Sequence, residues 1–121
     1  MPNIMRNSAT SIMPRTGEIR GLCTLTAGSP AVGSLSGTNA QDRAQVSVTD
    51  NGTGTFALVV SDFKGPQGLG LGTGTALNSG YTVACSAASY SGNTATYNFT
   101  VANSNSQALS DTSFIFDLWA Y

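Results

Sequence analysis

Apolar side chains in this chain recur at every second residue, in short runs that stop at glycine, asparagine, serine or aspartate. In residues 43–49, Ala44, Val46 and Val48 alternate with Gln45, Ser47 and Thr49. In 94–101, Tyr97, Phe99 and Val101 alternate with Thr96, Asn98 and Thr100, and in 55–62 Phe56, Leu58 and Val60 share one side. A period of two belongs to a pleated strand covered on one face, because successive side chains point to opposite sides of the sheet. Residues 18–26 continue the pattern, with Leu22 opposed to Cys23 and Leu25, and 80–86 forms a further strand. Residues 112–121 are apolar on both sides: Phe114, Phe116 and Leu118 on one, Ile115, Trp119 and Tyr121 on the other. A strand of that kind is central in its sheet or lies at a subunit interface.

The breaks between runs carry turn chemistry. Asp50-Asn51-Gly52-Thr53-Gly54 tolerates positive φ and predicts a hairpin loop. A second hairpin is expected around residues 87–93, and 102–111 reads as a polar loop. In 67–76, Gly68, Gly70, Gly72 and Gly74 fall on one face of a strand, where another backbone or a ring can approach closely. Fourteen glycines and few Leu, Glu and Lys residues suit strands rather than helices. The expectation is an all-β fold of seven or eight short strands: an antiparallel β-sandwich or jelly roll over residues 18–121.

Residues 1–17 read differently, as an extended N-terminal arm. Pro2 and Pro14 oppose a helix, and Ile4, Met5, Ile12 and Met13 supply apolar contacts. Residues 1–20 hold three arginines against one glutamate, a net of +2, whereas 21–121 hold Arg43 and Lys64 against five aspartates, a net of −3. Ile4, Met5, Arg6, Ile12, Met13, Arg15 and Arg20 are therefore the expected docking contacts with an acidic partner. Only 9% of the residues are charged, against about 25% in an average domain. A β domain so poor in charge leaves its edges unprotected and fits burial in an assembly. Phe114, Phe116, Trp119 and Tyr121 are the expected trimer interface.

No run approaches the roughly 18 apolar residues of a membrane span, and no basic patch accompanies the aromatics. Neither a membrane nor a nucleic acid is an expected partner. The opening residues lack the apolar core of a secretory signal, so folding in a cytoplasm is expected. There Cys23 and Cys85 need no disulfide and default to buried thiols, though the sequence leaves open whether they pair.

Catalytic patterns are sparse. There is no histidine to serve a nucleophilic triad, and a Ser–Lys pair has only Lys64 to draw on. Two cysteines do not make a zinc site, the 50–54 loop lacks the carboxylates of a calcium loop, and the glycine run lacks phosphate-loop spacing. No catalytic residue, cofactor or metal is expected, and the chain reads as a non-enzyme. Asp117 stands out between Phe116 and Leu118: it pairs with Arg43 or Arg20, or faces a wet channel on a symmetry axis.

The run Val46-Ser-Val-Thr-Asp50-Asn-Gly-Thr-Gly-Thr-Phe56-Ala-Leu-Val-Val60 resembles the central hairpin of phage fibre-tip and complement C1q/TNF-like jelly rolls. The ending Asp111-Thr-Ser-Phe114-Ile-Phe116-Asp-Leu-Trp119-Ala-Tyr121 is similar to their last strand, and the resemblance covers about the last 80 residues. It implies a trimer with terminal strands near the threefold axis, in a group that includes viral fibre heads and capsid decoration proteins. No collagen-like or coiled-coil stem precedes the body, which favours a small subunit attached through its arm. The expectation is a virion structural protein, assembled in the host cytoplasm: a trimeric decoration (cement) protein whose arm docks on the major capsid protein. The alternatives are a tail-fibre or spike head that binds a host receptor, a small carbohydrate-binding module, and a glycosidase using two carboxylates.

Overall fold

The computed structural model describes residues 17–26, 29–37 and 46–121. Among these are nine strands: β1 (Gly17–Thr26), β2 (Ser29–Gly37), β3 (Val46–Asp50), β4 (Thr55–Val60), β5 (Gly70–Ala76), β6 (Tyr81–Cys85), β7 (Ser89–Ser91), β8 (Thr94–Asn103) and β9 (Phe114–Ala120). All pairings are antiparallel. Sheet A runs β2-β1-β9-β5, and sheet B runs β3-β4-β8-β6 with β7 also paired to β8. The two sheets pack face to face, so the β-sandwich read from the sequence is the fold.

The alternation explains which side faces in. From sheet B, Phe56, Leu58, Val60, Ala95, Tyr97, Phe99 and Val101 are buried. From sheet A, Ile19, Cys23, Phe114, Phe116, Leu118 and Ala120 meet them. Phe114 is the bridge: its ring lies 5.8 Å from Phe56 and 5.2 Å from Phe99, centroid to centroid. Such tilted ring pairs add stability beyond the area they bury.

Sheet A contributes glycine where sheet B comes closest. Gly70, Gly72 and Gly74 of β5 all face inward. A Cβ on Gly70 would sit 2.6 Å from the Ala88 Cβ and 2.8 Å from the hydroxyls of Tyr90 and Tyr97. On Gly74 it would collide with Val83 and lie 3.3 Å from the Phe99 ring. The backbone of Ala88 also donates to the Gly70 carbonyl, at 2.9 Å, which stitches the sheets together at this corner.

The hairpin between β3 and β4 closes as its residues predict. Gly52 and Gly54 have φ of 129° and 69°, and the Asp50 carboxylate accepts the Gly52 N–H at 3.0 Å. Asp111 then accepts the Gly54 N–H at 2.7 Å, tying this hairpin to the segment that leads into β9.

Two strands were not legible. β2 contains Pro30, Gly33 and no sustained alternation; it forms by pairing with β1, at a sheet edge where proline is tolerated. β7, inside the expected 87–93 hairpin loop, pairs with the start of β8 across a turn at Gly92, φ 62°. The expected strand at 43–49 appears as Val46–Asp50, residues 43–45 lying outside the described set.

Candidate functional site: the outer face of sheet A

Inward-facing residues account for one side of each strand; the other sides form two unlike outer faces. On sheet B, Ser47, Thr49, Thr82, Ala84, Asn98 and Thr100 are exposed, and no outward position of β3, β4, β6 or β8 is charged. Sheet A differs. Its register sets Leu22 beside Ile115, Arg20 beside Asp117 and Glu18 beside Trp119, with Thr75, Thr73 and Leu71 on the far side of β9. Ile115 is 47% exposed and Leu71 39%, large apolar groups on an open sheet surface.

At the centre of this face one guanidinium spans two carboxylates. Arg20 lies 3.1 Å from Glu18 and 3.2 Å from Asp117. The arginine is largely exposed, but the Glu18 and Asp117 side chains are only 15% and 23% exposed. Both carboxylates therefore lose hydration beside a guanidinium that they share. Burial, and then the neighbouring Glu18 carboxyl, push Asp117 up to about 6 against the pull of Arg20. The folded chain thus holds this proton more tightly than the unfolded chain. The resulting penalty is fully present above about pH 6 and vanishes as pH falls below the ordinary value of 3.8. Asp117→Asn should raise stability at pH 7 and flatten the rise in stability between pH 6 and pH 4. Urea melts at the two pH values check this; an unchanged slope would mean that another group titrates.

Of the expected interface aromatics, Phe114 and Phe116 are corrected by the structure: both are fully buried in the core of the single subunit. Their parity on β9 faces sheet B, so the core already occupies them. Trp119 and Tyr121 lie on the opposite parity and are half-buried. The Tyr97 hydroxyl donates to the Trp119 carbonyl at 2.9 Å. The Tyr121 carbonyl accepts from Gln67 at 3.0 Å. Arg20 sits within β1 and is held by Glu18 and Asp117, so it belongs to the body rather than the arm. Of the two partners expected for Asp117, Arg20 is the one the register supplies. Ile4, Met5, Arg6, Ile12, Met13 and Arg15 lie outside the described residues.

Sequence reasoning passed over Glu18, Leu71 and Ile115 as site residues. Leu71 had a signal: if Gly70 and Gly72 face inward, the leucine between them faces out. Glu18 and Arg20 share a face as i and i+2, but their closure with Asp117 depends on a β1–β9 register that no local pattern encodes.

The thiols are chemically quiet. Cys23 is buried and Cys85 half-buried, both are free, and burial pushes each up to about 11. Among the described residues no group of three His, Cys, Asp or Glu side chains could hold a metal ion. No family model, curated protein or solved structure matches the chain.

Proposed function

We propose that this protein is a structural subunit of a virion, a trimeric capsid decoration protein that acts by contact and not by catalysis. The observation that carries the reading is the charge-free outer face of sheet B. A four-stranded surface with no ion among the described outward positions of its strands can be covered there by a neighbour without the cost of desolvating charge. Copies meet through that face, and the arginine-bearing first segment reaches the shell.

Sedimentation at micromolar concentration should give a stable trimer. Thr100→Lys places a cation on β8 between Thr55 and Ala84 and should give a folded monomer. A wild-type monomer would overturn the assembly reading. A trimer unaffected by Thr100→Lys would move the contact to another face. Imaging of particles separates decoration from a fibre head, since cement covers lattice points and a receptor-binding head sits on an appendage.

One observation favours a second reading. Glu18 and Asp117 are two neighbouring carboxyls, one held near pH 6, which is the raw material of acid–base glycoside cleavage. The guanidinium that spans them matches an ion-pair cluster better than a catalytic pair. Glycoside turnover that disappears in Asp117→Asn would reverse that preference.

A further inference from the structure

Four strands end the two sheets: β2 and β5 in sheet A, β3 and β6 in sheet B. Edges are normally blunted by proline, charge, irregularity or short length. β2 carries Pro30, which has no N–H to offer, and β3 and β6 have five residues each. β5 has none of these guards. Its seven residues, Gly70–Ala76, include no charge and no proline, and its register with β9 is unbroken.

The hydrogen bonds at its two ends show which backbone groups face away from β9. Tyr121 donates to the Leu69 carbonyl at 2.8 Å, and Leu77 donates to the Ser113 carbonyl at 3.0 Å. Odd-numbered residues of this stretch therefore bond to β9, and even-numbered ones direct N–H and C=O to the free side. The Gly70 carbonyl is taken there by Ala88. Gly72, Gly74 and Ala76 keep that side open among the described residues.

We propose that a second copy of this chain pairs β5 to β5, antiparallel about a two-fold axis at Gly74, so that sheet A continues through both. This register sets Gly74 against Gly74 and Gly72 against Ala76, each pair exchanging N–H···O bonds. It also sets Thr73 against Thr75 and Leu71 against Leu77. Those are the closer, non-hydrogen-bonded pairs, whose side chains meet directly. Leu71 and Leu77 are 39% and 50% exposed, two of the four large apolar side chains exposed among the described residues. Each leucine of one copy thus covers its complement on the other, twice over. That reciprocity is what selects a second copy as the occupant. An axis nearer Gly70 spends a pair on the carbonyl that Ala88 already holds and parts the leucines. A single strand pair buries far less than the roughly 1,600 Å² of a standard stable interface, so the contact forms as concentration rises above micromolar. It does not rest on the sheet B contact, and where that contact holds it links one trimer to the next.

The test is disulfide trapping in the Thr100→Lys chain, which takes the sheet B contact out of the readout. Thr73→Cys and Thr75→Cys are made in separate chains, mixed at high concentration and oxidised with copper–phenanthroline. Facing non-hydrogen-bonded positions have the Cα separation that a disulfide accepts. The mixture should give covalent dimer, and each chain alone several-fold less. Ala76→Pro in both chains removes one free-side N–H without touching the bonds to β9 and should suppress the dimer. Leu77→Lys, at an exposed position, should lower the yield several-fold with the backbone intact. No dimer in the mixture overturns the proposal. Equal yield from either chain alone, or from the chain with only Cys23 and Cys85, overturns the Gly74 register. A yield unchanged by both Ala76→Pro and Leu77→Lys refutes strand pairing at this edge.

Discussion

Phe114→Ala should destabilise the fold by about 3–5 kcal/mol, the range for removing a large aromatic from a packed core. The ring is fully buried and touches both sheets through Phe56 and Phe99. Domains of this size have roughly 5–15 kcal/mol of stability in total, so the variant should be largely unfolded well below the wild-type melting temperature. Its neighbour provides the control. Ile115 is 47% exposed on the opposite parity of the same strand, and Ile115→Ala should cost no more than about 1 kcal/mol. Urea titration of both variants measures the contrast. Similar losses at the two positions would mean that the outer face is covered as thoroughly as the core.

The second large effect concerns a side chain that is absent. Gly74→Ala adds one methyl group where Val83 already stands, with the Phe99 ring 3.3 Å away. The crowding atoms belong to branched or aromatic residues locked between two sheets, so they cannot swing aside as a flexible chain end would. Overpacking of this kind costs about 1–3 kcal/mol and sometimes more, and the upper end is expected here. Val83→Ala should be destabilising alone yet partly rescue Gly74→Ala, because the two share one volume. Gly33→Ala is the counter-case: nothing lies within 4 Å of its added Cβ, and the change should be nearly neutral. Additive losses at positions 74 and 83 would show that the sheets do not approach there as described.

The strands with strong alternation were readable because burial on one side leaves a period of two in the sequence. β4, β8 and β9 declare themselves through Phe56, Tyr97, Phe99, Phe114 and Phe116. Even the close approach at β5 was legible, since three glycines on one face have few other uses. β2 escaped because its backbone is recruited by β1 rather than by its own side chains. The interface reading of Phe114 and Phe116 failed for a related reason. A strand apolar on both sides states that both are covered, not which side is covered by the chain itself. The Glu18–Arg20–Asp117 cluster joins residues separated by 97 positions, and only the paired structure brings them together.

That separation has a consequence for how the molecule comes into being. Sheet B is complete once Asn103 has been made, but sheet A has β9 at its centre, between the first strand and β5. The chain is synthesised from its amino end, so β1 can pair with β2 at once but waits until β9 has been made before its other neighbour exists. Until then the aromatic side of β8 and β4 has no second sheet to cover it. Pairings this distant along the chain also slow folding in free solution, because a long loop must close before any contact rewards it. The interval between translation of β8 and arrival of β9 is therefore the moment at which the nascent protein is most open to aggregation and most in need of a chaperone.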